Sequence, residues 1–170
     1  IEINPQYAEA LFYKGVALSK LEKHEEALKA YEKAIEINPQ FVEACFNKGV
    51  ALSKLEKHED ALKAYEKAIE INPQFAEAWF AKGVALGELE RHEDALKAFE
   101  KAIEISSQFA EAWLAKGFSL TELGRYEEAV EAYEKAIEIN SQVPMTYIAY
   151  TNLGELFFKL GNLKEASENV

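Results

Sequence analysis

Three imidazoles recur at one interval: His24, His58 and His92 stand 34 residues apart. Histidine is the commonest metal ligand and the usual general base, so a regular series of it raises the question of a metal centre. The interval answers against one. Residues set apart by one structural unit are separated by the packing distance of helices, roughly 8–10 Å between axes, whereas zinc needs each nitrogen at about 2.0–2.1 Å. The three cannot converge on one ion, and Tyr126 and Leu163 take over the same position further along. No metal is expected, and each histidine is read as the residue that opens a helix.

The single cysteine, Cys45, is the next reactive group, and it stands where the chain elsewhere carries Leu11, Trp79, Trp113 and Tyr150. A thiol at a core position is read as a small buried hydrophobe, not a nucleophile. The eight glycines are dispersed and never form a phosphate-cradling run. The sequence therefore offers no catalytic residue and calls for no cofactor, so the chain is read as a non-enzyme.

What organises these residues is repetition. Residues 8–41 and 42–75 differ only at Ala8/Val42, Leu11/Cys45, Tyr13/Asn47 and Glu26/Asp60, and Gly15, Gly49, Gly83 and Gly117 keep the same 34-residue period. Such a period marks a solenoid, whose units bury their apolar faces only by stacking on neighbours. Within a unit, Leu11, Phe12, Gly15, Val16 and Leu18 fall at helical spacing, and so do Ala27, Leu28, Ala30, Tyr31, Ala34 and Ile35. The short link Leu21-Glu22-Lys23-His24 makes the two helices antiparallel, and Asn38-Pro39 ends the second. Each unit is an all-α hairpin.

Four complete units are expected, 8–41, 42–75, 76–109 and 110–143, within a single array over 1–170. Residues 1–7 repeat the tail of an earlier unit. After a three-residue insertion, Pro144-Met145-Thr146, residues 147–170 begin a fifth hairpin that stops partway through its second helix. Starting at Ile1 inside a repeat, the chain reads as a piece of a longer protein. On the second helices, Glu25–Lys29, Glu59–Lys63 and Glu93–Lys97 are spaced for i,i+4 ion pairs on a solvated face.

With 30 acidic and 19 basic residues the formal net charge is −11, and no segment concentrates Lys and Arg. Phosphate neutralisation drives sequence-blind nucleic-acid binding, so neither nucleic acid nor an anionic membrane surface is an expected partner. No apolar run has membrane length. A lone cysteine excludes an intrachain disulfide and points to a reduced compartment, the cytoplasm.

The pattern resembles the tetratricopeptide repeat, whose signature is W-x2-L-G-x2-Y, then A-x3-F, then P. Trp79, Gly83, Ala95 and Phe99 match in the third unit, Trp113, Gly117, Ala129 and Tyr133 in the fourth, and Tyr150, Leu153, Gly154 and Phe157 in the fifth. Departures are systematic. Lys14, Lys48, Lys82 and Lys116 replace the signature Leu, Leu18, Leu52, Leu86 and Leu120 replace its Tyr, and Ser107 and Ser141 replace the boundary proline. A lysine stem can cover apolar surface while its ammonium reaches solvent or a Glu.

The resemblance implies a right-handed superhelical solenoid whose first helices line a concave groove for protein or peptide partners. Mapped by that resemblance, the groove carries Phe12, Phe46, Phe80 and Leu114, then Val16, Val50, Val84 and Phe118, with an acidic rail of Glu9, Glu43, Glu77 and Glu111 and with Asn47. The family's two-carboxylate clamp for chaperone C-termini finds Phe12, Val16, Asn47, Glu77 and Ala81 at its positions, where only Asn47 fits and Glu77 would repel a carboxylate. The expected ligand is an apolar or amphipathic peptide flanked by Lys or Arg. Two other readings stand beside it: a spacer or rod that self-associates head to tail, and the regulatory region of a larger enzyme.

Overall fold

A computed structural model describes the backbone of residues 5–140 and 145–168 and the side chains of 6–140 and 147–161. Among the described residues there are nine helices and no strand: α1 (Pro5–Lys20), α2 (His24–Ile37), α3 (Val42–Lys54), α4 (His58–Ile71), α5 (Ala76–Glu88), α6 (His92–Ile105), α7 (Ala110–Glu122), α8 (Tyr126–Ile139) and α9 (Met145–Glu168). They pack in adjacent pairs, the solenoid of helical hairpins that the period predicts. Two compact units divide the chain, Ile1–Glu90 and Arg91–Val170.

The turn inside each hairpin is built the same way. Glu22, Glu56 and Glu90 adopt φ of 60°, 58° and 57°, and Gly124 adopts 72°. This left-handed residue ends the first helix in a Schellman motif: the Lys23 amide donates to the Leu18 carbonyl and the Glu22 amide to Ser19, repeated by Lys57 to Leu52 and Glu56 to Ser53. At the far end, the Asn38 and Asn72 side chains accept the amides of Gln40 and Gln74, each at 3.1 Å. Ser106 closes α6 without a following proline. The main-chain path therefore survives the substitution of the boundary Pro by Ser107.

The two helices of a hairpin meet at the recurring glycine. A Cβ on Gly15, Gly49 or Gly117 would stand 2.5–2.6 Å from the ring of Tyr31, Tyr65 or Tyr133, so only glycine admits the ring. Each phenol hydroxyl is within hydrogen-bond distance of the first helix, on Ser19 (3.2 Å), Ser53 (3.1 Å) or Thr121 (3.3 Å). Burial raises the pKa of all three tyrosines, and these hydroxyl contacts partly offset it. Ala27, Ala61 and Ala129 fill the remaining space beside them, fully buried.

In the first unit α2 packs on α3 and α4 on α5, while α1 also approaches α3 and α3 approaches α5. Among the described residues α2 and α4 make no comparable approach. First helices thus line the narrow side of this unit, and second helices splay on the other. In the second unit α6 packs on α7, α7 on α8 and α8 on α9, with α7 also approaching α9.

Three expectations meet a different outcome. Lys63 and Lys97 pair with Asp60 and Asp94, three residues back, at 2.9 and 3.5 Å, and Glu26 is held by Lys23 at 3.2 Å. Residues three and four apart are both neighbours on a helix surface, so spacing alone does not choose between them. Pro5 to Tyr7, expected as the tail of an earlier unit, belong to α1, since proline fits the first helical turn, where its missing N–H costs nothing. Finally, α9 runs without a break through Leu160-Gly161-Asn162, where the register places a fifth turn. The return leg to Glu168 is under two turns long; nucleating it as a separate helix is costly, whereas extending an existing helix gains one bond per residue. Residues 1–4, residues 141–144, which include Ser141 and Pro144 of the insertion, and residues 169–170 lie outside the described residues.

Candidate peptide-binding face

The lysines that replace the signature leucine tie neighbouring hairpins together. Lys48 of α3 bonds Glu32 of α2 at 3.1 Å, Lys82 of α5 bonds Glu66 of α4 at 2.9 Å, and Lys116 of α7 bonds Glu100 of α6 at 3.1 Å. The same ammonium lies 5.5 Å from the ring of Trp79 for Lys82 and of Trp113 for Lys116. Each indole N–H is satisfied in turn, Trp79 on the Pro73 carbonyl at 3.0 Å and Trp113 on Ser107 at 3.1 Å. A lysine stem packed over apolar surface with its head on a glutamate is the geometry the sequence suggests for these positions.

Glu9, Glu43 and Glu77 are exposed at one register position of α1, α3 and α5. Beside them the phenylalanines are half-buried, and for two of them ring contacts give the reason. Phe12 lies 4.9 Å from Phe41 and 6.0 Å from Tyr31, and Phe46 lies 4.9 Å from Phe75 and 5.8 Å from Tyr65. Both rings therefore wedge between the second helix of their hairpin and the boundary residue that closes the same repeat, and only part of each faces outward. Phe80 is likewise half-buried, as are Val16 and Val50, while Val84 is 41% exposed. Asn47 donates its amide to the Glu43 carbonyl at 2.8 Å, which fixes its orientation on α3.

A residue outside the predicted set joins this face. Tyr13 is 66% exposed and stacks edge-on against Phe12 at 5.3 Å, extending the apolar surface next to Glu9. Its column reads Tyr13, Asn47, Ala81, Ala115 and Asn152, so no repeated residue type marks the position. In the second unit Glu111 is exposed and Leu114 half-buried on α7, and Phe118 is 52% exposed with its ring 6.5 Å from that of His92. Each unit thus combines exposed carboxylates with partly open aromatic and aliphatic surface.

Cys45 is 2% exposed, and burial pushes its thiol above the ordinary range despite nearby Lys67 and Lys48. His24, His58 and His92 are the first residues of α2, α4 and α6, each with Nδ1 buried and without a hydrogen-bond partner. Among the described residues no group of three or more His, Cys, Asp or Glu could hold a metal ion, and no helix is long and apolar enough to cross a membrane.

Solved structures share this architecture. A crystal structure of MamA protein superposes with a TM-score of 0.85 over 96% of this chain and 87% of that one, at 24% identity. YrrB, described as a TPR protein with an unusual peptide-binding site, gives 0.77 over 93% and 80%, also at 24% identity. The first TPR of Spaghetti (RPAP3), bound to the HSP90 peptide SRMEEVD, gives 0.71 over 73% and 98%, at 26% identity. No curated protein matched the chain. The family profile for the tetratricopeptide repeat matches three times in succession, at residues 8–41, 42–75 and 76–109. A second tetratricopeptide-repeat profile covers residues 108–170. With hairpin geometry, glycine–tyrosine contacts and family profiles agreeing over nearly its whole length, the chain belongs to the tetratricopeptide repeat family.

Proposed function

We propose that this chain is a protein-interaction scaffold whose first helices bind an apolar or amphipathic peptide with basic flanks. The observation that carries the reading is the register of Glu9, Glu43 and Glu77, exposed on three successive first helices beside half-buried Phe12, Phe46 and Phe80 and the more open Tyr13 and Val84. Exposed carboxylates in a row attract Lys and Arg, and adjacent apolar surface rewards burial of aliphatic or aromatic side chains. Peptide binding by YrrB and by Spaghetti supports the class of function. The ligand differs in sign: SRMEEVD is acidic, and Glu77 stands in this chain where a carboxylate clamp needs a cation.

Selection of peptides from a random displayed library, followed by photocrosslinking, tests the proposal. Enrichment of apolar cores flanked by Lys or Arg, crosslinked to α1, α3 and α5, is the expected result. Enrichment of acidic C-termini, or crosslinks confined to α2 and α4, would overturn it.

A second reading, self-association, draws on α9. Tyr147, Ile148, Tyr150, Phe157 and Phe158 are all exposed along this helix. An aromatic stripe of that kind facing water marks an interaction site, and a second copy of the chain is one occupant.

A further inference from the structure

Two helix faces are bare where their register counterparts are covered. On α9, Gly154 is exposed and a Cβ placed on it would meet nothing within 4 Å, whereas Gly15, Gly49 and Gly117 are buried under the tyrosine of their own second helix. On the same helix Phe157 is 57% exposed, while its counterpart Leu120 on α7 is wholly buried. The straight course of α9 is the cause, since no return helix packs on this side of it.

Helix α1 is bare on a different side. Ala10 and Ala17 are exposed, but the same positions are buried on α3, as Ala44 and Ala51, and on α5, as Ala78 and Ala85, where α2 and α4 pack. Between the two alanines Lys14 is exposed and holds no carboxylate among the described residues. Its counterparts Lys48 and Lys82 hold Glu32 and Glu66 of the covering helix, at 3.1 and 2.9 Å. What covers the sister faces therefore defines what fits on α1: a helix with an apolar stripe and a carboxylate at its flank.

Helix α9 has both properties. Ile148 and Phe158 are exposed seven residues before Glu155 and three after it, on the same side of the helix, and Glu155 is itself exposed with no ammonium partner among the described residues. Large side chains on α9 meet small ones on α1, a match of size that lets facing helices interdigitate. Glutamate meets lysine, a match of charge.

We infer that α9 of one copy docks along the Ala10, Lys14 and Ala17 face of α1 in a second copy, with Phe158 over the alanines and Glu155 on the Lys14 ammonium. The inference rests on the chain associating with itself through α9, and it names the surface that receives that helix. Because the two faces differ, a docked pair keeps one of each free, and the contact repeats from copy to copy.

Sedimentation velocity of the 170-residue chain with one or the other face blocked tests this. Ala10→Glu/Ala17→Glu closes the α1 face at exposed positions, and Phe157→Ser/Phe158→Ser closes α9. Each variant alone should stay monomeric at concentrations where the parent associates, and an equal mixture should give a one-to-one dimer and nothing larger. Lys14→Glu should weaken association at least about fivefold, and Lys14→Glu/Glu155→Lys should restore it. Association of the α1-blocked variant at the parent's level would overturn the inference while leaving self-association through α9 intact, whereas a parent that is monomeric at millimolar concentration would remove both. A mixture that stays monomeric, or charge reversal without effect, would also overturn it.

Discussion

Gly49 and Glu56 show how much of each hairpin is settled by single positions. A methyl group on Gly49 would stand 2.5 Å from the Tyr65 ring, and the ring is wedged against α3 with its hydroxyl on Ser53. Gly49→Ala must therefore push the hairpin apart, and overpacking of this kind costs about 1–3 kcal/mol. Denaturant unfolding should report that loss; an unchanged midpoint would mean that the ring moves freely. Glu56 poses the opposite case. Its φ of 58° is a left-handed conformation that Gly124 supplies without strain at the same place in the fourth repeat. Glu56→Gly should stabilise the chain by roughly 0.5–1 kcal/mol, because relief of a left-handed strain of about 1–2 kcal/mol exceeds the entropy cost of glycine. A lower midpoint would contradict this.

At the scale of the element, the ring contacts change what Phe46 is expected to do. A fully buried phenylalanine cut to alanine costs about 3–5 kcal/mol. Phe46 is half-buried but pairs with both Phe75 and Tyr65, so Phe46→Ala should cost about 2 kcal/mol of folding free energy. A loss below about 0.5 kcal/mol would show that the ring packs on neither. The helices themselves were legible in the sequence because a 34-residue period with helical apolar spacing admits one arrangement, and the Asn38-Pro39 break fixes where it ends. The dual role of Phe12 and Phe46 was not legible. It depends on the boundary residues Phe41 and Phe75 folding back onto the first helix of their own repeat, a contact between the two ends of a repeat that helical spacing does not reveal. The uninterrupted α9 was equally hidden, since Leu160-Gly161-Asn162 matches the turn position in register, and the balance between a turn and a continued helix depends on what packs against the return leg.

For the molecule as a whole, two surfaces govern what it meets. The exposed stripe of Tyr147, Tyr150, Phe157 and Phe158 on α9 should make the chain associate as concentration rises, and a contact between unlike surfaces propagates instead of closing as a dimer. Sedimentation velocity should show a mass that climbs with concentration and falls back in Phe157→Ser/Phe158→Ser; a strict monomer at millimolar concentration would sink that expectation. The acidic face carries the central claim. Glu43 and Glu77 are exposed, so reversing both to lysine leaves the core untouched and alters only the field a ligand encounters. The most direct measurement is fluorescence anisotropy of one apolar peptide with Lys flanks and of its counterpart with Glu flanks, titrated with parent and Glu43→Lys/Glu77→Lys chains at about 0.1 M salt, where charges act over about 10 Å. The parent should prefer the Lys-flanked peptide, and the variant should bind it at least about tenfold more weakly and prefer the Glu-flanked one. Equal affinities for both peptides in both chains would contradict the account.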